Sequence, residues 1–216
     1  MDDIIRIAVD GPAGAGKSTV AKAVAARLGI DYVDTGAMYR ALGLKILCTG
    51  IDMHDPEELD KLLKSTDIDY ADGHIFLDGT DVSGLIRLPA VSRMASDCSA
   101  IGEVRAHLVR VQQAMGHRKS IIMDGRDICF AVLPDAQYKF YLTASSDVRA
   151  QRRVKELEEK GEPFNFDEIK ASIEYRDYQD SHRECSPLIK TDDAVLIDSS
   201  DMDLEETINC FLSYIK

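Results

Sequence analysis

The chain has 216 residues, 45% of them apolar, enough for one sizeable core with a small inserted lobe. Its 38 acidic and 26 basic side chains leave a formal charge of −12, which excludes a generic binder of duplex nucleic acid or anionic lipid but not a pocket where arginines converge on a small anion. Five scattered cysteines without a Cys-x-x-Cys pair fit neither a disulfide framework nor a zinc site. With no run near ~20 apolar residues and no leader-like pattern after Met1-Asp2-Asp3, they lead us to expect a cytoplasmic location without a membrane span.

Short β-branched runs alternate with helical stretches. Residues 4–10 read as a strand, 17–28 as a helix, 32–34 as a strand and about 37–47 as a helix. Between about 56 and 97 this rhythm breaks, and 69–82 reads as small antiparallel strands around the Ala71-Asp72-Gly73 and Asp78-Gly79-Thr80 turns. A helix over 101–117 follows, then apolar strands over 120–124, 138–142 and 194–198. Five strands separated by helices predict a doubly wound α/β sheet, parallel and flanked by helices. The expected organisation is one domain over 1–216, with its core in 1–57, 99–148 and 169–216, an insert at about 58–98, and a separate segment at about 149–168.

Gly11-Pro12-Ala13-Gly14-Ala15-Gly16-Lys17-Ser18 matches G-x-x-x-x-G-K-[ST] between a strand and a helix, the context this phosphate loop requires. Glycines let successive N–H groups turn toward a phosphate, the helix adds its positive end, and Lys17 spans the β- and γ-phosphates of ATP. Thr19 completes the ATP-binding run. Ser18 is the candidate Mg²⁺ ligand, and Asp124, ending a later apolar strand, is a candidate to hold Mg²⁺ through water. GTPases, ATPase motors and small-molecule kinases share the loop, so it does not by itself fix the reaction.

Arg176, Asp180 and Arg183 recur at i, i+4 and i+7, placing two guanidiniums and a carboxylate on one helix face. Arg40 follows a strand-to-helix turn at the sheet's carboxyl edge, where α/β folds bind ligands, while Thr35 also suits a helix N-cap. Arg149, Arg152 and Arg153 follow the cap-like Ser145-Ser146-Asp147 and are expected on one exposed stripe; the plainer alternative is a surface row balanced by Glu156, Glu158 and Glu159. Gly161-Glu162-Pro163-Phe164-Asn165 then breaks the helix.

Asp34-Thr35-Gly36-Ala37-Met38-Tyr39-Arg40, Asp124-Gly125-Arg126-Asp127 and Arg176-Asp177-Tyr178-Gln179-Asp180-Ser181-His182-Arg183 resemble, in order and separation, bacterial cytidylate kinases of the P-loop nucleoside monophosphate kinase family. With the phosphate loop and Asp81-Val82-Ser83-Gly84-Leu85-Ile86-Arg87, the resemblance covers nearly the whole chain. It implies a P-loop kinase fold with an NMP-binding insert and a lid. It further implies Mg²⁺-assisted transfer of the γ-phosphoryl of ATP to CMP or dCMP in pyrimidine nucleotide metabolism. A monomer that binds no nucleic acid polymer and no membrane is the default expectation.

By the same resemblance Thr35, Tyr39, Arg40, Arg126, Arg176, Asp180 and Arg183 contact the acceptor nucleotide. Asp127 accepts from the cytosine amino group, Ser96 assists, and Arg105 donates to the ring acceptors; Lys17, Arg126, Arg149, Arg152 and Arg153 form the catalytic set. The chain departs from the family at Cys129 and Phe130, where a glycine and a small or hydroxylated residue are usual; Cys129 reads as a buried packing residue. The rivals are a P-loop kinase for UMP, AMP or shikimate, and a nucleotide-dependent switch, which has little use for acceptor-side arginines.

Overall fold

The structure, a computed structural model, describes residues 4–71 and 73–215. The expectations at Met1-Asp2-Asp3 and at Asp72 of the first hairpin turn lie outside the described residues. In chain order the elements are β1 (Arg6–Asp10), α1 (Lys17–Leu28), β2 (Asp31–Asp34), α2 (Thr35–Thr49), α3 (Pro56–Lys64), β3 (Ile68–Ala71), β4 (His74–Leu77) and β5 (Thr80–Asp81). There follow α4 (Pro89–Cys98), α5 (Gly102–Gly116), β6 (Ile121–Gly125), β7 (Tyr138–Thr143), α6 (Ser146–Lys160), α7 (Phe166–His182), β8 (Val195–Asp198) and α8 (Leu204–Tyr214). The chain forms two compact units, Met1–Tyr32 with Ser120–Lys216, and Val33–Lys119.

The larger unit is organised by the predicted five-stranded parallel sheet, in the order β2-β6-β1-β7-β8. Ile7, Ala8 and Val9 of β1 and Ile121, Ile122 and Met123 of β6 are fully buried, an unbroken apolar run rather than an alternation, as befits central parallel strands. Val20, Ala21, Val24 and Ala25 form the buried stripe of α1, and Phe211 of α8 lies against Phe140 of β7 with ring centroids 4.4 Å apart. The parallel register sets Asp10 beside Gly125 and Tyr141, so the strand ends deliver the phosphate loop and the Arg126–Asp127 segment to one edge.

The smaller unit holds the antiparallel sheet β3-β4-β5 and helices α2 to α5. Leu77 pairs with Thr80, leaving Asp78 and Gly79 as a two-residue loop with φ of 50° and 77°, the left-handed pair a tight hairpin requires. Sequence periodicity passed over two helices here. Helix α3 is capped by Asp55, whose carboxylate accepts the Glu57 and Glu58 N–H groups, with Pro56 in its first turn; α4 buries Val91, Ala95 and Cys98. Both are only nine or ten residues long, too short to stand out beside the hairpin signals.

Candidate active site

The phosphate loop wraps the N-terminus of α1. Gly11 has φ of 147°, and a Cβ added there would lie 1.9 Å from the Leu142 carbonyl oxygen of β7, so the loop leaves the sheet where only glycine fits. Gly16 caps α1 with φ of 87°, and Lys17 begins the helix with its Nζ folded back to donate to the Pro12 carbonyl at 2.8 Å. Burial is the main reason that Lys17 loses proton affinity, to about 7, with the Arg126 charge adding to it and Asp124, Asp10 and Asp180 opposing it.

Ser18 Oγ donates to Asp124 Oδ2 at 2.9 Å, and Tyr32 donates its hydroxyl to Asp124 Oδ1 at 2.7 Å. Two hard oxygen donors beside a phosphate loop suit Mg²⁺, which keeps several waters and takes the rest of its shell from nucleotide phosphates. Among the described residues no group of three or more His, Cys, Asp or Glu side chains gathers for a metal.

Asp180 organises the candidate acceptor side. It accepts from Arg126 Nε at 2.7 Å and faces Arg183 across 3.8 Å. Burial opposes its charge, but Arg126 first, then Arg176 and Arg183, hold its carboxyl below the usual range. Both Asp180 oxygens are thus directed at guanidiniums. Arg183 departs from the predicted helix face: α7 ends at His182, Arg183 is extended with ψ of 144°, and its Nε donates to the Ser186 carbonyl at 2.6 Å. Arg176 is exposed on α7, while Arg183 and Arg126 flank Asp180 in a half-buried cluster that the Arg176 charge also reaches.

Asp127 is buried at the head of a single π-turn, Ile128–Val132, a local distortion common at functional sites. Cys129 follows the packing expectation: its Sγ lies 3.9 Å from the Ala8 carbonyl and 3.7 Å from that of Phe140, and burial pushes its thiol up, away from a reactive thiolate. Its bulk is taken up by the sheet core.

The arginines of α6 are not one exposed stripe. Ser145 caps the helix by accepting the Val148 N–H, as expected. Arg149 is then 6% exposed, donating to the Ala144 and Ala13 carbonyls at 2.9 and 3.0 Å and pairing with Asp177 at 2.6 Å. Arg152 reaches the Ala15 carbonyl at 3.3 Å and the Ser199 carbonyl at 2.8 Å. Of the three, only Arg153 is exposed, paired with Glu156 at 2.7 Å. The helix wheel gives i, i+3 and i+4 as neighbours, but it does not say that the phosphate loop offers carbonyls to two of them.

In the smaller unit Asp34, not Thr35, caps α2 by accepting the Ala37 N–H at 2.9 Å; Thr35 is the first helical residue, and buried. Arg40 turns back to Asp34 at 2.8 Å, over Gly36, where a Cβ would lie 3.1 Å from its guanidinium. Arg105 is buried, with its guanidinium 5.4 Å from the Tyr39 ring centroid and donating to the Ser99 carbonyl at 3.0 Å. Ser96 lies exposed on α4.

Three residues with roles at the site went unremarked in the sequence. Asp10, Tyr32 and Asp177 hold, respectively, the loop after Asp127, the Asp124 carboxylate and Arg149. Asp10 carried a signal, a carboxylate closing a run of buried apolar residues.

A parallel sheet whose central strand ends in a phosphate loop, with guanidiniums gathered at the same edge, defines a P-loop kinase. A TM-score of 0.56 relates the structure to an uncharacterized protein from Eubacterium ventriosum, over 99% of this chain and 98% of that one; at 15% identity this speaks for the fold alone. The cytidylate kinase family model matches residues 7–216. Relatives named cytidylate kinase include one from Caldanaerobacter subterraneus subsp. tengcongensis, 48% identical over 94% of this chain and 91% of that one, and one from Clostridium botulinum, 45% identical over 98% of each. The chain belongs to the cytidylate kinase family.

Proposed function

We propose that the chain transfers the γ-phosphoryl group of ATP to a phosphate oxygen of CMP or dCMP, giving ADP and CDP or dCDP. One observation supports this above the others: the Arg126–Asp180–Arg183 cluster lies within electrostatic reach of Lys17, whose proton affinity Arg126 lowers and Asp180 raises. A donor cradle and an acceptor-side guanidinium group thus act on one another. The bond from the γ-phosphorus to the ADP oxygen breaks as that to the CMP phosphate oxygen forms, so the site has charge to neutralise rather than a strong base to supply. Lys17 and Arg126, with Arg149, Arg152 and Arg153, provide that neutralisation.

Ser18 would hold Mg²⁺ directly and Asp124 through water; the ion supplies charge compensation on the β- and γ-phosphates. Gly11 to Thr19 bind ATP. Thr35, Tyr39 and Arg40, with Arg126, Arg176, Asp180 and Arg183, hold the acceptor, while Asp127, Ser96 and Arg105 read the base. Residues at about 58–98 act as the NMP-binding insert and about 149–168 as a lid. Helix α7 has no buried residue and is tied to α6 through polar pairs such as Lys170–Asp147 and Ser146–Glu174, and through the pairing of buried Arg149 with Asp177. No helix among the described residues is long and apolar enough to cross a membrane. We infer a monomer working in the cytoplasm.

The test is a nucleotide panel with ATP and Mg²⁺: ADP release is expected to be fast with CMP or dCMP and slow with UMP, AMP or shikimate, and equal turnover of UMP would sink the assignment. Because an amide presents either a donor or an acceptor, Asp127→Asn is expected to relax the preference for cytosine over uracil by roughly 10-fold or more. Unaltered selectivity in that variant counts against direct readout.

The Lys17 value gives a pH prediction. In the free protein its proton affinity is depressed to about 7, whereas phosphates around it favour the ammonium. At pH 8, ATP binding should therefore take up close to ~1 proton, and affinity should weaken as pH rises from 7 to 9. Calorimetry in buffers of different ionisation enthalpy reads this directly; proton release on binding would contradict it.

A further inference from the structure

Asp10 stands at the end of β1, one residue before the phosphate loop, with 0% exposure. Its Oδ1 accepts the Ile128 N–H at 2.9 Å and its Oδ2 the Cys129 N–H at 2.8 Å. These consecutive amides directly follow Asp127 and open the π-turn, where the first N–H groups lack a partner within the turn. The turn closes back on the same residues, with the Ala131 N–H on the Asp127 carbonyl at 2.9 Å and the Leu133 N–H on that of Ile128 at 2.8 Å. One carboxylate from a neighbouring strand therefore fixes both leading amides of the segment that presents Arg126 and Asp127.

An aspartate is an expensive residue for this position. Burial is the main effect and pushes its pKa up to about 6, with the two amides opposing that rise. A role confined to packing would be filled as well by an apolar residue in a core of Val9, Ile122 and Phe140, were the two amides not there to be satisfied.

We propose that Asp10 is a positioning residue for the acceptor: its two-pronged grip on the Ile128 and Cys129 amides sets the placement of Arg126 and Asp127, and so the affinity and base selectivity for the nucleoside monophosphate. This rests on the assignment of Arg126 and Asp127 under the proposed function. Because Asp10 also leads into Gly11, it links the donor and acceptor segments through one side chain.

The test is Asp10→Asn, nearly the same shape, in which one prong becomes an NH₂ facing an N–H. The expected result is a KM for CMP raised ~10-fold or more, a reduced ratio of CMP to UMP kcat/KM, and a KM for ATP within ~3-fold of wild type, since an unmatched buried donor displaces this loop first. Equal shifts in both KM values would overturn the proposal, because a general loosening of the fold moves both. Asp10→Ser, which keeps one acceptor, is measured in the same way; if neither variant folds, Asp10 is a core residue and the proposal falls. Asp127→Asn run in parallel separates the two ideas. If it alters base selectivity and Asp10→Asn does not, the positioning role fails while the Asp127 reading stands. If Asp127→Asn has no effect but Asp10→Asn raises the CMP KM alone, the reading of Asp127 fails and the grip acts through Arg126.

Discussion

Lys17→Ala is expected to lower turnover by ~10²-fold or more, the scale seen when one preorganised charge-stabilising donor is removed from a transition state. The side chain is 5% exposed and donates within its own loop, so no solvent cation can take its place. The ligand-free fold draws little from the charge, since burial has already depressed its proton affinity to about 7. The melting temperature should accordingly change by no more than a few degrees while steady-state turnover collapses. A loss below tenfold in a coupled ADP-release assay would remove Lys17 from the catalytic set.

Gly11→Ala should cause the largest stability loss. The added methyl would meet the Leu142 carbonyl oxygen at 1.9 Å, and that atom is backbone of a central strand rather than the end of a flexible side chain. Relief requires β1 and β7 to part or the loop to be rebuilt, a penalty of more than ~4 kcal/mol. Soluble folded protein should be sharply reduced. Gly29→Ala is the control: its φ is 64° but nothing lies within 4 Å of the added Cβ, so it should cost only about 1 kcal/mol. If the two variants melt within a few degrees of each other, the close approach of loop and strand is not what limits residue 11.

The fold was legible where local signals were long and consistent. The predicted helix over 17–28 is α1, and the five predicted parallel strands are those of the sheet, because unbroken apolar runs between helices have few other uses. Asp78-Gly79 announced its hairpin through two positions that favour left-handed backbone. Less legible was whatever depends on partners distant in sequence. Arg149 falls on a predicted polar stripe, yet it is buried because Ala13, 136 residues away, offers a carbonyl, and Asp177 a carboxylate. Arg183 continues a helical spacing but lies past the helix end, where the Ser186 carbonyl holds it. Asp10 shows the same limit: nothing near it in sequence reveals two amides 118 and 119 positions on.

Arg149 is bolted at both ends, to the phosphate loop through Ala13 and to α7 through Asp177, from the first turn of α6. Swinging α6 and α7 outward would therefore strain or release the loop's own carbonyl. If α6 serves as the proposed lid, unlatching it and slackening the phosphate loop would be one mechanical event, so that ADP release and reopening would share a single barrier.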